Sequence, residues 1–287
     1  MDGVGSPNII VDGAGSPHSY SLKPSQARDL QEADIVFWFG RDLETFLEKP
    51  IEAISSNANI VKLLDTEGLL KLNFREGGPF SEHDHDDHDD HDDHDDHDDH
   101  DDHKGHDDHD DHDDHKGHDG HDHGEHDPHA WLSIENAQTW LNLVAGKLSA
   151  ADPENAGVYF ANAAEARAEI DALVKEVNSI LEPVRGRNFV VFHDAYQYFE
   201  TSFDFPAAGA ISLGDASDPS AARIAEIQDR VKDQGINCVL SEPQYNPNLV
   251  TTVLSGTDAK TGVIDPLGST LDPVSYTHLT LPTNREV

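Results

Sequence analysis

Histidine and aspartate in a fixed rhythm are the first chemistry this sequence offers. Sixteen histidines recur almost every third residue among aspartates, at His83, His85, His88, His91, His94, His97, His100, His103, His106, His109, His112, His115, His118, His121, His123 and His126. Neutral imidazole is the commonest protein ligand for zinc-like ions, and aspartate adds oxygen donors and negative charge. A spacing of three keeps successive imidazoles on one side only in an extended, three-per-turn chain; on an α-helix it drifts around the axis. From His83 to Asp127 there are 22 Asp, one Glu and two Lys, a net charge of −21, with no apolar side chain to bury. Such a segment cannot offset its chain entropy and is expected to be a disordered acidic tract. A flexible chain can still fold its ligands around an ion, so the tract is expected to collect metal ions without selecting among them.

Three further histidines stand in other settings. His18 follows the turn Gly13-Ala14-Gly15-Ser16-Pro17, His129 lies in Asp127-Pro128-His129-Ala130-Trp131, and His193 ends the apolar run Phe189-Val190-Val191-Phe192. Asp265 closes a similar run in Val263-Ile264-Asp265-Pro266. Taken singly, a loop histidine is more often half-buried and bonded to a carbonyl. Taken together, three neutral nitrogens and one carboxylate make a tetrahedral set suited to Zn²⁺, whereas Mn²⁺ prefers more oxygen.

The elements that must position these residues alternate β and α. Asn8–Val11 reads as a strand, Ser21 through Ala33 as a helix, Ile35–Phe39 as a strand, Leu43–Ile54 as a helix and Asn59–Leu64 as a strand. After the tract, Ser133 caps a helix to about Ser149, and Asp152-Pro153 starts another that runs to Glu182. Its apolar face is Ile170, Leu173, Val174, Val177, Ile180 and Leu181. A helix of about 30 residues would be roughly 45 Å long, a rigid connector rather than one lobe's helix. Strands follow at Phe189–His193, Ala207–Leu213, Cys238–Ser241 and Gly262–Asp265. Between them lie helices at Ala195–Phe203, from Asp218-Pro219 to Gln234, and from Asn246-Pro247 to Leu254. Continuous apolar strands separated by helices indicate parallel sheets covered on both faces.

The fold class expected is therefore α/β: two lobes with parallel sheets flanked by helices, joined by one long rigid helix, with a disordered His/Asp-rich loop. The divisions are an N-terminal lobe at 1–151 containing the loop 83–126, a connecting helix at 152–183, and a C-terminal lobe at 184–273. In open parallel sheets ligands bind beyond the carboxyl ends of the strands, where His18, His193 and Asp265 sit. Two candidate ligands fall on each side of the long helix, so one site between the lobes is expected. Residues 274–287 complete no βα unit and read as a non-native tail; His278 is set aside with them.

The formal net charge is −38, and about −17 remains once the tract is removed. No basic patch appears, which argues against nucleic acid as a partner. An acidic surface suits a protein that concentrates cations. No run of 18 apolar residues could span a membrane, and no basic n-region with an apolar h-region opens the chain. The single Cys238 cannot form an intramolecular disulfide.

Four motifs carry a resemblance. Ser16-Pro17-His18-Ser19-Tyr20, Asp127-Pro128-His129-Ala130-Trp131-Leu132, Phe192-His193-Asp194-Ala195-Tyr196-Gln197-Tyr198-Phe199 and Asp265-Pro266-Leu267-Gly268 resemble the metal-site motifs of the ZnuA-like periplasmic zinc-binding proteins of ABC-type importers. The likeness runs from about Asp2 to Pro273, with the tract where that family carries a charged loop. It implies a Zn²⁺ site between two lobes and delivery to an ABC-type zinc permease in the inner membrane by a monomeric periplasmic protein. It also implies that His193 matters for selection, because relatives that carry manganese tend to have Glu there. Some zinc members have Glu just before the first histidine, where this chain has Pro17, which leaves Asp265 or a water as fourth partner. Relatives begin with an export signal and a first strand, end with a further helix, and in some cases pair the Cys238 position with a second cysteine. None of these is present here, which suggests an incomplete product of a periplasmic parent. The other functions weighed are a hydrolase with Glu242 or Asp194 as base, a metal buffer in which the tract is the function, and a manganese or iron carrier of the same family. Glu242 and Asp194 are more simply groups that support the ligands.

Overall fold

The computed structural model describes residues 1–11, 15–75, 126–212, 220–245 and 247–269. The tract histidines His83 through His123, residues 218–219 and the tail 274–287 lie outside the described residues.

The first lobe carries α1 (Pro24–Glu32), β1 (Ile35–Trp38), α2 (Thr45–Ile54) and β2 (Asn59–Lys62). Proline at the first position of α1 removes an N–H that would have no helical partner, and the Gln26 side chain accepts from the Lys23 N–H at 2.8 Å. β1 and β2 pair in parallel, Ile35 opposite Asn59 and Trp38 opposite Lys62. Period-two alternation sends Val36 and Trp38 to one face, where they pack with Leu30, Leu47 and Ile51 of the helices. α3 (Ile134–Ala151) begins where the Ser133 side chain accepts from the Asn136 N–H, as its sequence suggests.

α4 (Ala156–Leu181) follows a short 3₁₀ turn that starts at Pro153. Its 26 residues span about 39 Å. Near its start Tyr159 and Ala163 pack with Ala145 of α3, and near its end Val177 and Leu181 pack with Phe203 of the second lobe. One rigid rod thus serves both lobes. The expected apolar face needs two corrections: Ile180 is 39% exposed, and the first half is buried through small residues, Ala163 and Ala166. Alanines pass unnoticed in a search for large apolar side chains.

The second lobe has β3 (Phe189–His193), α5 (Gln197–Phe203), β4 (Gly209–Ser212), α6 (Ala221–Asp233), β5 (Cys238–Ser241), α7 (Pro247–Leu254) and β6 (Lys260–Val263). The sheet order is β4-β3-β5-β6, parallel throughout. All five residues of β3 are buried, as a continuous apolar run predicts for a central strand. β6 starts two residues before its expected position, because Lys260 and Thr261 are exposed on an edge strand that need not read as apolar.

Asn8–Val11 is not a strand. The Ile10 carbonyl accepts from the Gln26 side chain instead of joining a ladder, and Ile9 is 53% exposed. A four-residue run with only Ile10 packed against the core does not bury enough to hold a strand.

Candidate metal centre

Each candidate ligand is held by the element before or after it. His18 lies in a turn where its own N–H donates to Ser16 Oγ at 3.3 Å and the Ser19 N–H donates to the Ser16 carbonyl. His129 stands just before the turn Ala130–Leu132 that leads into α3. His193 is the last residue of β3.

The structure brings these three together. Their ligand atoms lie within 4.8 Å of one another, and the Nε2 atoms of His18 and His129 are 3.0 Å apart. Ring centroids are 5.1 Å apart for His18 and His129, 5.4 Å for His18 and His193, and 4.9 Å for His129 and His193. Two nitrogens on one tetrahedral Zn²⁺ at 2.0–2.1 Å would be about 3.3 Å apart, a separation between the 3.0 Å of the His18–His129 pair and the 4.8 Å that bounds the cluster. His129 and His193 are 2% and 4% exposed.

Asp265 is not brought into the cluster. Its Oδ1 accepts from the Leu267 N–H at 3.3 Å and its Oδ2 from the Ser269 hydroxyl at 3.1 Å. A short carboxylate followed by proline readily closes its own turn, and that is what it does here.

Asp127, unassigned from sequence, orients His129. Its Oδ1 accepts from His129 Nδ1–H at 2.6 Å and from the His129 backbone N–H at 2.9 Å. A carboxylate only accepts, so Nδ1 carries the proton and Nε2 keeps its lone pair for a metal. The two-residue spacing in Asp127-Pro128-His129 was the available signal. Glu242 plays the matching part for His193, its Oε1 lying 3.7 Å from Nδ1. That oxygen is buried without a hydrogen-bond partner, and so are both amide atoms of Gln244. Register explains the position. Val191 of β3 pairs with Leu240 of β5, so two residues further on His193 and Glu242 leave the sheet side by side.

Burial, and next the charge of Glu242, pushes the Tyr196 phenol well above its ordinary pKa. Three imidazole nitrogens beside two buried carboxylates suit a dication. A cavity of about 20 Å³ lined by His18, His129, His193, Glu242 and Gln244 leaves room for roughly one water-sized ligand. The Trp131 indole N–H donates to the Pro266 carbonyl at 3.0 Å, tying the loop of His129 to the turn of Asp265.

Comparison with known proteins agrees with this chemistry. The family described as "ZnuA: Zinc-uptake complex component A periplasmic" matches residues 2–281. The high-affinity zinc uptake system protein ZnuA of Brucella abortus (strain 2308) is 53% identical over 271 residues, covering 94% of this chain and 80% of the relative. The protein of that name from Yersinia pestis is 31% identical over 284 residues, covering 96% and 81%. Among solved structures, one described as the crystal structure of ZnuA superposes with a TM-score of 0.68 at 22% identity, covering 92% of this chain and 83% of that one. A mutant of the laminin-binding adhesin (Lmb) from Streptococcus agalactiae gives 0.63 at 21%, covering 90% and 80%. At those identities the structures support the fold alone.

Proposed function

The chain belongs to the family of periplasmic zinc-uptake components, and we propose that it captures Zn²⁺ at one tight centre of His18, His129 and His193 for an ABC-type permease in the inner membrane. Family membership makes it a zinc-binding component of an import system, not an enzyme. Among the described residues no helix is long and apolar enough to cross a membrane.

The observation that carries the proposal is the meeting of three imidazoles from two lobes within 4.8 Å. A water held against Glu242 and Gln244 takes the fourth position; Asp265 reaches it only if its own turn opens. The lobes divide at 1–151 and 184–273 about the helix 152–183, and the monomer is the working unit. In a titration with a competing chelator, the intact chain is expected to hold one equivalent of zinc far more tightly than the rest. A smooth series of equally weak sites would reduce it to a metal buffer.

Histidines His83 through His126 collect zinc for the centre. The tract runs directly into Asp127-Pro128-His129, and covalent tethering gives an effective concentration on the order of millimolar. Protons compete for imidazole near its reference pKa of about 6.5, so collection fades as pH falls through that range. Deleting residues 83–125 is expected to slow zinc loading at limiting metal at about pH 7.5, to change little at about pH 5.5, and to leave the centre's affinity unaltered. Equal loading rates at the higher pH would reduce the tract to a spacer.

A further inference from the structure

Arg75 is the last described residue before the tract, and its guanidinium reaches across to the second lobe. Nη1 and Nη2 donate to Glu200 Oε2 and Oε1 at 2.8 and 2.9 Å, a forked pair. Nε donates to Asp194 Oδ2 at 3.3 Å, and Nη2 also meets Asp194 Oδ1. All three side chains are largely buried. Burial works to lower the arginine pKa, but Glu200 and Asp194 outweigh it and hold the guanidinium above its ordinary value. A planar fork can serve two carboxylates at once in fixed geometry; a lysine ammonium cannot.

Two short paths lead from Arg75 to the ligands. On the second lobe, Asp194 directly follows His193, and the Ala195 N–H donates back to the His193 carbonyl at 2.9 Å. Holding Asp194 therefore holds the turn on which His193 leaves β3. On the first lobe, Asn73 forms an antiparallel bridge with His126, and the Leu72 carbonyl accepts from the Asp127 N–H at 2.8 Å. The Tyr198 hydroxyl accepts from the Leu72 N–H at 3.0 Å and donates to the Asp127 carbonyl at 2.9 Å. Asp127 in turn orients His129. Tyr198 and Glu200 share the short helix α5, so one element receives both paths.

We propose that Arg75 is a positioning residue of the zinc centre, setting the separation between His129 on one lobe and His193 on the other. The proposal rests on the three-histidine centre being the zinc site. Arg75→Lys in the full chain keeps the charge and removes the fork. Zinc affinity is read by competition with a chelator strong enough to strip the tract, and ligand geometry by the visible absorption of one equivalent of Co²⁺. About tenfold weaker zinc binding and an altered cobalt spectrum are expected, as for loss of other groups that orient metal ligands. Arg185→Lys is the control, because Arg185 ties Asn178 to the Phe203 and Asp204 carbonyls without touching the centre's supports. It should lower the thermal midpoint and leave zinc affinity alone. Wild-type affinity with a wild-type cobalt spectrum in Arg75→Lys, or an equal affinity loss in the control, would overturn the proposal. If Arg75→Lys does not fold, Tyr198→Phe cuts the other path and is expected to weaken zinc several-fold with a cobalt shift; no change there would also overturn it. A wild-type chain with no tight zinc site would sink the zinc-centre reading itself, and this proposal with it.

Discussion

His129 and His193 are the two buried histidines of one cluster and are held in opposite ways. The carboxylate behind His129 comes from its own loop, two residues upstream, and grips both Nδ1–H and the backbone N–H. The carboxylate behind His193 comes from the neighbouring strand, delivered by sheet register, and stands 3.7 Å away. The first lobe thus offers a ligand already locked in tautomer and direction. The second offers one whose support can still tighten when a cation arrives. A cleft that couples a fixed ligand to an adjustable one can close on an ion without rebuilding either lobe.

The largest effects test whether both lobes are needed. His129→Ala and His193→Ala are each expected to weaken zinc on the order of a hundredfold or more, since a few nitrogens share the whole binding energy. Chelator competition reads both, and a loss confined to one would make the other a bystander. His193→Glu swaps a borderline nitrogen for oxygen and should move preference from zinc towards manganese in titrations with both ions. An unchanged preference would place selection in geometry elsewhere.

The supporting carboxylates come next and address the contrast directly. Asp127→Asn is expected to cost roughly ten- to a hundredfold in zinc affinity, whereas Glu242→Gln, which starts from the looser contact, costs roughly tenfold or less. The reverse order would contradict the fixed and adjustable roles.

That contrast also marks what the sequence could disclose. The βα alternation and the buried run ending at His193 are local patterns, and the three histidines stand in motifs with their own turns. Asp127 was within reach for the same reason, since its partner is two residues away. Glu242 could be named as a support but not given its partner, 49 residues away, and Arg75 was out of reach, because its partners lie 119 and 125 residues away and meet it only through the assembled sheet and α5. For Asp265 a strand-end motif places the residue but not the direction its carboxylate turns, so the choice between Asp265 and a water as fourth partner stayed open. Asn8–Val11 misled because four apolar letters look alike whether or not a neighbour is there to pair with them.

A carboxylate without a histidine shows what burial alone does, and gives the smallest effect. Glu44 accepts from the Phe39 and Gly40 N–H groups at 2.7 and 3.4 Å. Burial nevertheless raises its pKa from 4.5 to about 7. Between those values the folded chain binds a proton that the unfolded chain has released, so stability falls as pH rises through that window and levels off above it. The full shift corresponds to about 3 kcal/mol, less after solvent screening at this partly exposed side chain. Glu44→Gln should flatten denaturant midpoints over that range; an unchanged slope would mean that Glu44 titrates normally.

The central claim is that one zinc ion sits between the lobes on three histidines. Anomalous diffraction at the zinc edge, from crystals of the full chain given one equivalent of metal, tests it most directly. The expected result is a single strong peak about 2.0–2.1 Å from a ring nitrogen of each of His18, His129 and His193. A peak bound by residues of one lobe only, or no peak among these rings, would contradict it.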